Sequence, residues 1–217
     1  MILSHKHKFI FIKTNKTAGT SVEIALSKFC GPDDIITEIS KEDEKTRAAL
    51  GFPLAQNFHP RPNGRPIFYN HMSAKEVINN VGQDVWDRYY TFTIERNPWD
   101  RVISLYYWMT RSLVGNKPTL KQFIMSDDIF KLIRKGIGLY TIEERVVVNK
   151  IMPYENLQEE LDLLANRLRL NSAVVLPQAK SGYRQDKRCY TEVLDQEERR
   201  RISVLFKREI DLMGYQF

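Results

Sequence analysis

The sequence predicts an α/β protein of three layers, a mostly parallel central sheet flanked by helices. Two observations carry this. Apolar, β-branched or aromatic runs (Phe9–Ile12, Tyr89–Ile94 and the Arg145–Tyr154 region) alternate with segments whose apolar residues recur at helical spacing. Strands alternating with helices favour parallel pairing, with helices on both faces. The 217 residues show no internal repeat and are expected to form a single domain over 1–217.

In chain order, Phe9-Ile-Phe-Ile12 reads as a buried strand that the N-terminus enters directly. A polar turn carrying Lys13 and Lys16 leads into a helix over Ser21–Cys30, with Val22, Leu26 and Phe29 on one face. Gly31-Pro32 breaks the pattern. Asp34–Ile39 reads as a short strand and Lys41–Leu50 as a charged, exposed helix. Prolines, Asn57, Asn63 and Gly64 make 51–66 a loop or lid, in which His59, Arg61 and Arg65 read as solvent-exposed.

Ile67–His71 resumes an apolar run and reads as a strand ending on His71. Ser73 with Glu76 forms a capping box for a helix to Asn80. After Tyr89–Ile94, Pro98 suits the first turn of a helix reaching about Leu113. Thr119–Lys135 reads as helical in two pieces, broken near Asp127-Asp128, and Gly136 and Gly138 then loosen the chain. Arg145–Tyr154 is the last core strand and Asn156–Leu170 an amphipathic helix. Leu176–Arg188 is a basic loop, and Asp195 with Glu198 caps a final helix to about Met213.

Composition narrows the class without naming it. Apolar residues make up 42% and charged residues 28%, which excludes a disordered chain. The net charge of +6 and sequence pI of about 9.2 suit an anionic ligand, and equally nucleic-acid binding or an ordinary solvated surface. Cys30 and Cys189 have neither metal-ligand spacing nor a disulfide framework. No signal-peptide pattern and no membrane-length apolar run is present, so a reducing, cytoplasmic setting is expected.

Two stretches carry chemistry. In the first, strand, tight turn and helix bring backbone N–H groups at a helix start to one point, with partial positive charge. Lys16-Thr-Ala-Gly-Thr-Ser21 adds a lysine, a glycine for close approach and hydroxyl donors. The lysine precedes the glycine, unlike the Walker order. In the second, Arg96-Asn-Pro-Trp-Asp-Arg-Val-Ile-Ser104, an arginine ends a strand and a serine follows two turns into the next helix. A ligand at the C-terminal end of parallel strands meets such an arginine, whose donor fork matches phosphate oxygens. The same arginine is also placed to pair with Glu95 or Asp100.

Together these stretches resemble the sulfotransferases that use 3′-phosphoadenosine 5′-phosphosulfate (PAPS). Lys-Thr-Ala-Gly-Thr-Ser is similar to the family's 5′-phosphosulfate loop, and Arg-Asn-Pro-x-x-Arg-x-x-Ser to its 3′-phosphate element. Tyr154-Glu-Asn-Leu157 is similar to the family's step into a helix. Leu176–Arg184 and the Met213–Phe217 tail resemble the cofactor-covering loop and C-terminus of the carbohydrate-type branch. Asn15 stands where the family often has Pro, which predicts a looser turn, and Lys13 is a further departure.

The resemblance implies a P-loop NTPase-like sulfotransferase fold. It implies transfer of a sulfuryl group from PAPS, leaving PAP, to a hydroxyl acceptor such as a carbohydrate, with no metal. Lys16 is the implied catalytic lysine. Thr17, Gly19, Thr20 and Ser21 would hold the 5′-phosphate, Arg96 and Ser104 the 3′-phosphate, and Lys180, Ser181 and Arg184 would close from the loop. His71 is the implied base and Glu23 the fallback. Three alternatives stay open: a nucleotide-dependent kinase, which would want a Gly-Lys-Ser/Thr triplet and a Mg²⁺-binding acid; a basic nucleic-acid-binding protein; and a non-catalytic nucleotide binder.

Overall fold

The computed structural model describes residues 1–58, 64, 66–177, 182 and 184–217. A five-stranded sheet forms its centre, built from β1 (Ile2–Ser4), β2 (Phe9–Ile12), β3 (Ile35–Ile36), β4 (Tyr90–Glu95) and a last strand at Lys150–Pro153. A two-stranded hairpin, β5 (Thr141–Ile142) and β6 (Arg145–Val146), precedes that last strand, which is therefore β7. The order is β3-β1-β2-β4-β7. The β2–β4 and β4–β7 pairs are parallel, and β1 alone runs antiparallel to its neighbours.

Alternation along β2 sorts the layers. Phe9 and Phe11 face one side, packing with α1 (Gly19–Ser27) and α8 (Leu157–Arg167) through Val22, Leu26, Leu157, Leu161 and Leu164. Ile10 and Ile12 face the other side. They meet Met72, α3 (Ala74–Val81) through Val77, and α4 (Gln83–Arg88) through Trp86. A strand buried on both faces reads as a continuous apolar run, as β2 does. A third apolar cluster lies beside the sheet. It joins α5 (Pro98–Thr110), α6 (Leu120–Met125) and α7 (Phe130–Arg134) to α10 (Gln196–Leu205). The remaining helices are α2 (Lys41–Ala49), α9 (Tyr190–Val193) and α11 (Lys207–Met213).

The structure corrects several sequence expectations. A strand, β1, precedes Phe9; three apolar-to-polar residues flanked by His and Lys carry too little pattern to announce it. The Asp34–Ile39 strand shrinks to Ile35–Ile36. Ile67–His71 is not a strand: His71 sits in a turn at φ 62°, and Phe68 points into the core. Arg145–Tyr154 divides at Val147–Asn149: β6 turns back on β5 through positive-φ Glu143 and Glu144, and only β7 joins the central sheet. The helix expected from Ser21 begins earlier, at Gly19, and the final helix is broken at Phe206.

Candidate active site

One cavity of about 1040 Å³ opens where β2, β4 and β7 end. Its wall comes from the residues that follow each strand: Lys13–Lys16 and Ala18–Ser21 after β2, Arg96, Asn97 and Asp100 after β4, and Tyr154 and Glu155 after β7. Ligands bind at the carboxyl ends of parallel strands for this geometric reason.

The loop between β2 and α1 is held from below. Thr14 Oγ1 donates to Ile94 O at 2.6 Å, and Asn15 N donates to Lys135 O at 2.9 Å. Asn15 O accepts from Arg101 Nε at 2.7 Å. The turn is thus pinned on both sides of Asn15 rather than loosened, and a proline there would lack the N–H that Lys135 receives. Lys16 (φ 64°) and Ala18 (φ 59°) are both left-handed, which curls the backbone into a nest before the helix. Ala18 offers α1 no side-chain cap, so the first-turn N–H groups depend on something other than the cap residue. Gly19 is required here: a Cβ would lie 2.7 Å from Lys13 Cγ, and Lys13 is tied to Glu23.

Lys16, Gly19, Thr20 and Ser21 line the cavity, with Lys16 Nζ 5.5 Å from the centre of the Trp108 ring. Thr17 does not line it: it is fully buried and its hydroxyl meets Thr14 Oγ1 at 2.9 Å. Its side chain therefore supports the loop from within instead of facing a ligand.

Arg96 reaches the same cavity. Its Nη1 donates to Lys16 O at 3.3 Å, its Nε donates to Asp100 Oδ2 at 2.8 Å, and its guanidinium lies 4.0 Å over the Tyr154 ring. The expected pairing with Asp100 is present, and it coexists with exposure to the cavity. Glu95 instead pairs with Arg101 beneath the floor, both fully buried, and accepts from Tyr140 Oη at 2.8 Å. Ser104 lines the cavity one helix face further on. Arg184 lines it too and pairs with Asp100. Lys180 and Ser181 lie outside the described residues, as do His59, Arg61 and Arg65.

His71 lines the opposite wall, half-buried. Its Nδ1 is 2.9 Å from Lys13 O. A carbonyl only accepts, so Nδ1 carries the proton and Nε2 keeps the lone pair. Burial, and then the charge of Lys13, push the imidazole down to about 3, so it is neutral at pH 7. Glu23 is not on this wall. It is fully buried, bound to Lys13 Nζ at 2.7 Å and to the Met1 amine at 2.9 Å. Burial pushes its carboxyl up, but Lys13 and that amine outweigh it and hold it down to about 2. A carboxylate locked between two cations has no path to a substrate proton, so Glu23 is corrected from fallback base to structural anchor.

Sequence reasoning missed several wall residues. Trp108, Lys135, Asp43 and Tyr190 line the cavity, and Asn70 joins them with a buried Oδ1 that has no hydrogen-bond partner among the described residues. None of these carries a local pattern; each arrives from a different element. Among the described residues, no three His, Cys, Asp or Glu side chains gather as a metal site. Cys30 and Cys189 are free thiols.

The sulfotransferase family model matches residues 1–136, well over half of the chain and both cavity-lining motifs. The chain belongs to the sulfotransferase family. A similar protein from Archaeoglobus fulgidus, described as an uncharacterized protein, is 31% identical over 102 residues. That match covers 46% of this sulfotransferase-family chain and 83% of the relative. The mixed α/β architecture, with its mostly parallel sheet between helices, is compatible with the family's fold. Among the described residues, no helix is long and apolar enough to cross a membrane.

Proposed function

We propose that this chain is a single-domain, P-loop-like sulfotransferase that moves a sulfuryl group from PAPS to a hydroxyl, with a carbohydrate as the acceptor class. The observation that carries the reading is the shared cavity. The Lys16 loop and Arg96 meet across 3.3 Å of hydrogen bond, and both face one space large enough for a nucleotide. The family is one that uses PAPS, and the chemistry of the wall fits it. A backbone nest, a lysine and two hydroxyls stand on one side, and an arginine with Ser104 on another.

PAPS would supply an activated sulfuryl group whose departure leaves charge on a phosphate oxygen. Lys16 would stabilise that charge as it develops, which lowers the barrier because the interaction strengthens toward the transition state. The first-turn N–H groups of α1, with Gly19, Thr20 and Ser21, would hold the 5′-phosphate. Arg96 and Ser104 would hold the 3′-phosphate, and Arg184, with Lys180 and Ser181, would close the nucleotide side. His71 Nε2, held as an acceptor by the Lys13 carbonyl, would take the proton of the attacking hydroxyl. Asn70 Oδ1 is a second acceptor on that wall and suits a neighbouring hydroxyl.

Thermal shift separates the readings. A ligand at about 100 times its Kd stabilises by about 2.7 kcal/mol. 3′,5′-Adenosine bisphosphate is expected to raise the unfolding midpoint clearly and AMP far less. Equal shifts with both, or a shift that requires ATP with Mg²⁺, would replace this reading with a kinase. Binding to DNA with a steep salt dependence would replace it with a nucleic-acid-binding role.

A further inference from the structure

We infer that Asp100 is the positioning residue of the nucleotide clamp, one carboxylate that aims Arg96 and ties the Arg184 segment over the cavity; this rests on the nucleotide reading above. The two oxygens of Asp100 are divided. Oδ2 accepts from Arg96 Nε and Nη2, and Oδ1 accepts from Arg184 Nη1. The three side chains are 12–21% exposed, and all line the cavity.

The division decides what each arginine can offer. A guanidinium has five N–H donors. Three of those on Arg96 go to Asp100 and Lys16 O. One N–H on each terminal nitrogen thus remains to donate to an anion. Tyr154 beneath the ring and Asp100 on the far edge prevent the guanidinium from turning away. Arg184 also donates to Asp186 O and Arg188 O, drawing 184–188 together. The Arg184 bond to Asp100 links that segment to α5. A single carboxylate therefore sets the direction of one cation and the position of another, around a site for a doubly charged phosphate.

Titration calorimetry with 3′,5′-adenosine bisphosphate and with AMP tests this on the wild type, Asp100→Asn and Asp100→Glu. Asn keeps the shape but not the charge. It is expected to lower bisphosphate affinity by about tenfold, the scale of a charge-assisted hydrogen bond, and AMP affinity by less. Asp100→Glu is expected to recover part of the loss. Hydrogen exchange over 184–189 should quicken in Asp100→Asn and stay near wild type in Asp100→Glu. A bisphosphate-to-AMP ratio in Asp100→Asn equal to wild type, or higher, overturns the inference. A wild type with no preference for the bisphosphate overturns the nucleotide reading itself, and this inference with it.

Discussion

Arg96 and Arg101 lie five positions apart on one strand-to-helix step, and each is paired with a carboxylate, yet they serve different ends. Arg101 and Glu95 are both fully buried, and Arg101 also donates to Asn15 O and Lys135 O. It is a bolt that joins the β2 loop, the end of β4 and the segment after α7. Arg96 and Asp100 stand above that floor, partly solvated and lining the cavity. The lesson is that an arginine's partner does not reveal its role. What distinguishes the two is not the number of bonds, three in each case, but whether the pair is sealed in the interior or faces the cavity.

Breaking the floor should have the largest effect. Arg101→Ala leaves Glu95 charged and buried, and losing one partner of a buried pair costs about 3–5 kcal/mol. Urea unfolding should show that loss, or no folded protein at all. Retained stability would mean the floor is not a bolt.

His71→Asn comes next. Asn tolerates the left-handed backbone at this position, so the turn should survive. Sulfuryl transfer is expected to fall by about 10²–10⁴, the usual contribution of a general base, with bisphosphate binding unchanged. Turnover near wild type would remove His71 from the reaction.

Arg96→Ala should be milder for folding, by about 1 kcal/mol or less because the pair is partly exposed. It should nonetheless erase the preference for a 3′-phosphate in competition between the bisphosphate and AMP. Survival of that preference would collapse the contrast between the two arginines.

A different kind of test lies in pH dependence. His71 titrates near 6.5 when unfolded and about 3 when folded, so the unfolded chain takes the proton first. Its share of stability is complete above pH 6.5 and is lost as pH falls toward 3. Glu23, about 2 folded against 4.5 unfolded, also costs stability in acid, but only below 4.5. His71→Asn should therefore flatten the stability slope between pH 6.5 and 4.5 and leave the steeper limb below it. An unchanged slope in that window would mean His71 is not held neutral by its surroundings.

Much of the framework was legible before any coordinates. The apolar run at Phe9–Ile12, the Ser73/Glu76 and Asp195/Glu198 boxes and Pro98 are local signals, and each marks an element where expected. The lysine loop and the Arg96 element were legible as motifs because neighbouring residues form them. β1 was not: it holds position through pairing with β2 and β3, which no window of a few residues encodes, and β3 was legible only with bounds that its pairing with β1 shortens.

The amino-acid order alone determined the alternation of strands and helices, the lysine-before-glycine loop and the arginine at a strand end, since these depend on residues within a few positions of one another. Only the tertiary structure decided that Thr17 turns inward, that Glu23 is locked by Lys13, and that Asp100 serves two arginines 88 positions apart (96 to 184). The reason is physical. A side chain's direction and charge state follow from the groups packed around it, and those groups come from distant parts of the chain.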